Sequence, residues 1–190
     1  MNELALPIEP QLLVVVAPHA ARDQMLELAA TLAVRGPLRV VDAGNQFNAY
    51  PVARAVRRHT ARMRAALENI RLARGFTCYQ VLAMLEQLQP SSQPTLVFDL
   101  LATFYDEDVP LPQSLELLDQ VLPHLSALSK AGPVVVSARP PGTVVAERLP
   151  LLQKLLDGAD AVYPLLPPEA LQAARRLPAP RQLGLPLDPD

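Results

Sequence analysis

Residues able to bind or move charge recur where apolar runs end. His19 and Arg22 follow the run Leu12–Val16, and Asn45 and Gln46 follow Leu38–Val41; Asp99 lies inside "TLVFDLLATF", and Arg139 closes "VVVSAR". If each run is a strand of one parallel sheet, the loops that follow gather along its carboxyl edge. Two guanidiniums, an imidazole and a carboxylate would then line a crevice suited to a small anion or a phosphorylated metabolite. An enzyme or ligand-binding protein using that edge is one function consistent with the pattern.

Other reactive residue types are more dispersed. His19, His59 and His124 occupy separate segments, without the close spacings of a zinc site. The single cysteine, Cys78, excludes an internal disulfide and any cysteine-rich metal site, and its apolar helical setting predicts a buried structural thiol. Asp106, Glu107 and Asp108 carry the oxygen ligands that hard cations take, yet consecutive residues rarely converge on one ion. A solvated or helix-capping loop is the expectation there. Ser137 follows a strand, but "VSARP" lacks the flanking glycines of a nucleophile elbow. Neither a metal nor a cofactor is expected.

The densest charge is basic. Arg54, Arg57, Arg58, Arg62 and Arg64 fall between Pro51 and Leu67, where Val52, Val56, Met63 and Leu67 keep helical spacing. One helix over this stretch would bury the apolar stripe and turn its arginines outward, with Arg71 and Arg74 nearby and only Glu68 opposing them. Such a face suits a nucleic-acid backbone or an acidic protein partner. Arginine stems also cover apolar surface without any partner. Aromatic rings for base stacking are limited to Tyr50 and Phe47, and Phe47 is expected in the core.

The elements that must position these groups alternate along the chain. Strands are predicted at Leu12–Val16, Leu38–Val41, "NIRLARGF", "TLVFDLLATF", "VVVSAR" and "ADAVYPL". Helices are predicted at Asp23–Val34, Pro51–Leu67, "CYQVLAMLEQL", Gln113–Ser129 and Val144–Leu156, with Gly36-Pro37 and Gly132-Pro133 ending two of them. Solidly apolar strands between helices predict an α/β fold: a mainly parallel sheet with helices on both faces. Half of the 190 residues are apolar, enough for one core, and with 4% aromatics Leu, Val and Ala must fill it. Residues 1–165 are expected to form a single domain. Residues 166–190 are expected to be a proline-rich tail with a short helix at Glu169–Leu177.

A net charge of −2 gives no global pull toward nucleic acid or membrane. No apolar run approaches the roughly 20 residues that span a bilayer. "MNELALPIEP" has no basic n-region of a signal peptide, so a cytoplasmic protein without a membrane partner is expected.

Four stretches together carry a family likeness. "LLVVVAPHAARDQMLEL" has the strand, turn and helix of a phosphate-binding loop, and "VDAGNQF", "LENIRLARGFTCYQVLAMLE" and "PTLVFDLLATFYDED" follow before "GPVVVSARPP". Their order resembles the ATPase core of the RecA/Rad51/RadA recombinases. Asn69, Ala73, Arg74 and Phe76, followed by Tyr79-Gln80, are the most specific match, and Asp99 takes the place of the Walker B aspartate. The likeness covers about Leu12 to Arg139. What it implies is a RecA-like, P-loop-type core.

The departures imply a degenerate one. No glycine lies between Val16 and Leu28, and Arg22 is the only cation of the turn. Phosphate needs a backbone free of obstructing Cβ atoms, a lysine, and a Ser/Thr for magnesium. Asn45 and Gln46 stand where the family's catalytic glutamate belongs, and Ser137-Ala138-Arg139 replaces its sensor pair. His19, Arg22, Asp99 and Arg139 are thus vestigial positions of a nucleotide site, and no ATPase activity is expected. No N-terminal helical domain and no large DNA-binding loop between Phe104 and Val134 are expected either. The resemblance implies a non-catalytic accessory or regulatory factor of recombination or repair. It would bind a protein partner or its own copies, and Arg54, Arg57, Arg58, Arg62 and Arg64 are its candidate contacts to DNA or to that partner. A structural subunit of a larger assembly is a third alternative.

Overall fold

The computed structural model describes residues 9–165, so the expected tail at 166–190 and its helix lie outside the described residues. Six strands form one sheet: β1 (Leu12–Val16), β2 (Leu38–Asp42), β3 (Ile70–Arg74), β4 (Thr95–Phe98), β5 (Val134–Ala138) and β6 (Ala161–Pro164). Their order is β3-β2-β4-β5-β1-β6, and every pairing is parallel. Helices α1 (Arg22–Arg35), α2 (Ala49–His59), α3 (Met63–Glu68), α4 (Cys78–Gln87), α5 (Leu111–Ala131) and α6 (Leu149–Asp157) connect them. The chain is an α/β protein, as its alternating pattern predicts.

Period-two alternation divides the valine-rich inner strands between two cores. Val15, Val40, Phe98 and Val135 pack with α1, α2 and α3 on one face. Val14, Val16, Val41, Val97 and Val136 pack with α4, α5 and α6 on the other. Connections leaving β1 and β2 therefore run over one face, and those leaving β3, β4 and β5 return over the opposite face. Neighbours β1/β5 and β2/β4 send their chains apart at the carboxyl edge, the place where a crevice opens in such sheets.

Local chemistry moves several expected boundaries. The single helix expected over Pro51–Leu67 is two: α2 ends at His59 and α3 begins at Met63. Thr60 is extended (φ −154°, ψ 146°), and its hydroxyl accepts the Arg62 N–H at 3.1 Å. A threonine that bonds the backbone locally competes with helix continuation. β4 stops at Phe98, short of Phe104, because Asp99 adopts φ 46° and the chain turns. The helix expected at Val144–Leu156 splits into a 3-10 segment, Thr143–Arg148, and α6, whose first turn takes Pro150. β3 departs from the apolar pattern. It is an edge strand, exposed from Arg71 to Arg74, and its two arginines are typical of edges that must resist indiscriminate pairing.

Candidate functional site

After β1 the chain turns through Pro18–Ala21 into α1. His19, Ala20 and Ala21 have φ of 52°, 52° and 50°, three successive non-glycine residues in the left-handed region. Each meets a clash between Cβ and carbonyl worth about 1–2 kcal/mol. Glycine would adopt these angles freely, yet the turn holds them with the methyl groups of Ala20 and Ala21 buried. Two of its N–H groups are already taken by turn carbonyls. Ala20 N–H donates to the Ala17 carbonyl at 3.1 Å, and Arg22 N–H donates to the His19 carbonyl. The other described non-glycine residues with positive φ are Asn45 and Asp99. All five lie at the carboxyl ends of β1, β2 and β4, and backbone strain gathered in this way is characteristic of ligand clamps and switch regions.

Two fully buried aspartates stand at adjacent strand ends, Asp42 on β2 and Asp99 after β4. Asp42 accepts the N–H groups of Gln46 at 2.8 Å and Phe47 at 3.0 Å, and the Arg74 Nε at 2.9 Å. Arg74 also donates to the Phe47 carbonyl at 2.7 Å, so one carboxylate and one guanidinium hold the β2–α2 loop. Asp99 is treated differently. Its N–H donates to the Ser137 hydroxyl at 3.0 Å, but neither carboxylate oxygen meets a donor in hydrogen-bonding geometry. Arg139 Nε approaches it to 3.2 Å from the end of β5. Burial nevertheless dominates and pushes the carboxyl up to about 6, against the pull of Arg139 and the Gln46 side chain. Tyr105 seals the cluster: its hydroxyl donates to the Arg139 carbonyl at 2.9 Å, and burial raises it well above the usual phenol range. A Cβ on Gly44 would lie 2.5 Å from that of Asp99, so only glycine fits against this carboxylate.

Of the four positions singled out from the sequence, Asp99 and Arg139 meet directly. Arg22 joins the same edge through its Nε bond to the Gln46 carbonyl at 3.3 Å. His19 shares the turn, is exposed, and makes none of the described side-chain hydrogen bonds. The sequence pattern does not mark Asp42, Gly44, Arg74 and Tyr105 as parts of this edge. Their sequence signal is faint, an aspartate and a glycine just before "NQF". Ser137 is buried behind Asp99 and has no access to a substrate. Asp106 accepts the Asp108 N–H at 3.0 Å, closing its own exposed turn. Cys78 is buried, and burial raises its thiol. Among the described residues, no three side chains of metal-binding type converge.

The arginines divide between elements. Arg54, Arg57 and Arg58 lie on α2, Arg62 in the break, and Arg64 on α3. Glu68 is not their only opponent, because Glu27 of α1 pairs with Arg58 at 2.6 Å and with His59 at 3.3 Å. Burial would raise the Glu27 carboxyl, but these two partners hold it lower. Arg64 pairs with Glu68 at 3.0 Å, and Arg57 Nε contacts the Met63 sulfur at 3.0 Å. Arg54, Arg57 and Arg62 take part in none of the described ion pairs. Tyr50 is 77% exposed and lies one turn before Arg54 and two before Arg57 on the same helix face, whereas Phe47 is buried edge-to-face against Phe98.

Hollows of about 400 Å³ and 250 Å³ lie away from Asp99, the first beside β2, β3 and α4 and the second between α1 and α2. No described helix is long and apolar enough to cross a membrane. Compared with known proteins, the chain matches no family model and no curated protein.

Proposed function

We propose that this protein is a non-catalytic relative of the RecA/Rad51/RadA recombinases, an accessory or regulatory factor of recombination or repair that binds protein and single-stranded DNA. One observation carries this reading. The turn after β1, Asp99 after β4 and Arg139 after β5 occupy the ends of three strands that are neighbours in the order β4-β5-β1, although they are far apart in sequence. These are the positions that the resemblance equates with the phosphate loop, the Walker B aspartate and the sensor. Protein groups stand at these positions in place of a nucleotide: turn carbonyls accept the Ala20 and Arg22 N–H groups, and Arg139 Nε lies 3.2 Å from Asp99.

Binding is then the remaining activity. Residues 9–76 hold ten arginines against five acidic residues, and residues 77–165 hold ten acidic residues against two arginines and two lysines. Two halves of opposite sign favour association between copies and with charged partners. The Tyr50, Arg54, Arg57 and Arg62 surface combines one stacking ring with three cations outside the described ion pairs, the elements of a sequence-tolerant single-strand surface.

The test is fluorescence anisotropy of labelled single-stranded DNA over a salt series. Affinity should fall steeply with salt, and joint replacement of Arg54, Arg57 and Arg62 by Ala should reduce the slope of log K against log salt by about 2. Absence of binding at low salt, or an unchanged slope in the triple variant, would sink the DNA half of the proposal. Magnesium-dependent ATP turnover by the purified chain would sink the non-catalytic half.

A further inference from the structure

A second charged site lies toward the amino ends of the strands, away from Asp99. Arg39 of β2 and Arg71 of β3 are register partners in a parallel pair, so their side chains leave the same face of the sheet. Like charges directly opposite repel, and neither arginine belongs to any described ion pair. Arg39 is also deeply buried, at 8% exposure. Its two terminal nitrogens donate to the carbonyls of Gln89 and Gln93, at 2.6 and 3.3 Å, but its Nε is buried without a partner. Thr95, the register partner of Arg39 on β4, likewise hides an unpartnered hydroxyl. A buried guanidinium bonded only to neutral carbonyls lacks the counter-charge that such burial normally demands.

Beside this pair opens the hollow of about 400 Å³. Val41 and Ala73, two residues along from each arginine on the same face, form an apolar wall with Met84 and Leu88 of the α4 side. We propose that this hollow binds a small amphipathic carboxylate, with its anionic head between Arg71 and Arg39 and its hydrocarbon body along Val41, Ala73, Met84 and Leu88. Arg71 is exposed, and its guanidinium fork is available for a bidentate bond. The head would lift the repulsion between the arginines and supply the missing counter-charge. The apolar wall favours a carboxylate with a hydrocarbon body over a bare oxyanion, which would leave that wall wet. The site shares no residue with the strand ends around Asp99, so it stands or falls independently of the recombinase resemblance.

Titration of the full chain with octanoate, followed by amide NMR, tests it. Saturable shifts are expected at Arg71, Ala73, Leu88 and Gln89. Arg71→Gln should keep the folded spectrum and weaken octanoate by about tenfold or more, since a bond to a charged group is lost. Octylamine, with the same chain and opposite charge, should not bind at these amides. The proposal is overturned by absent or non-saturating shifts, by equal binding of octylamine, or by an unchanged affinity in Arg71→Gln. Inorganic phosphate binding as tightly as octanoate would also overturn it, in favour of a simple oxyanion site.

Discussion

Asp42 and Asp99 occupy the ends of neighbouring strands, are equally hidden from water, and meet opposite surroundings. Three donors converge on the Asp42 carboxylate, two of them backbone N–H groups of the loop it closes. Around Asp99 the chain offers a glycine, a buried tyrosine ring, and Arg139 and Gln46 groups that lie close without reaching good hydrogen-bond geometry. The first aspartate is a fastener, since its removal would orphan what it holds. The second is a buried carboxylate whose oxygens the surrounding chain leaves without well-formed hydrogen bonds. Burial alone does not separate structural from functional carboxylates; the donors that surround them do.

Removing the fastener should have the largest effect. Asp42→Ala strands two N–H groups and the Arg74 guanidinium, which is partly solvated and can recover water. A loss of about 3 kcal/mol in urea unfolding is expected. A loss below about 1 kcal/mol would mean that the loop is held by something else, and the contrast with Asp99 would collapse.

A pH series tests the other member of the pair. The Asp99 carboxyl is raised from its ordinary 3.8 to about 6, so the native state keeps its proton at pH values where the unfolded chain has released it. Its contribution to stability is therefore complete below about pH 4 and is lost as pH rises through 6. The shift corresponds to about 3 kcal/mol in all. Asp99→Asn removes the titration, so the variant should gain on the natural chain by an amount of that order between pH 4 and pH 7.5. Unfolding midpoints of both proteins across that range give the answer, and a constant difference would show that burial does not favour the protonated form of Asp99.

The turn after β1 extends the contrast to a third strand end, with the smallest effect. His19→Gly relieves left-handed strain at an exposed position and adds some freedom to the unfolded chain. A net gain of about 0.5 kcal/mol is expected in thermal or urea unfolding. A clear loss of stability would show that the turn does not hold its left-handed angles in solution.

Much of the scaffold was legible because its signals are local and repeated. Leu12–Val16 was located to the residue, and β5 emerged from "VVVSAR" by its β-branched run bounded by Gly132-Pro133. Helix α4 was legible from apolar spacing. Its start is fixed by a reciprocal cap in which the Thr77 hydroxyl accepts the Gln80 N–H and the Gln80 side chain accepts the Phe76 N–H. The break at Thr60 was not legible, since threonine is ordinary within helices and becomes a breaker only when its hydroxyl turns back on the chain. The exposure of β3 escaped as well, because a strand's position at the edge depends on strand order.

The site was legible in parts. Arg22 and Arg139 are legible because each follows an apolar run, and strand ends of a parallel sheet share an edge; Asp99 is legible from its place in the recombinase likeness. Glu27, the counter-charge to Arg58 and His59, was invisible because it reaches them from another helix. The facing arginines Arg39 and Arg71 could not be paired from sequence either. Their meeting requires β2 and β3 to be neighbours in one particular register.

By itself, the sequence determined the α/β class, the parallel character of the sheet and the absence of phosphate-loop glycines, all properties of residue type and spacing along one chain. Only the tertiary structure decided which charges have partners. It gave Asp42 three donors, left the donors near Asp99 out of hydrogen-bonding geometry, and set Arg39 beside Arg71 outside every described ion pair. The reason is physical: apolar periodicity is written within each element, whereas the compensation of a buried charge depends on atoms that strand order and register bring from elsewhere in the chain.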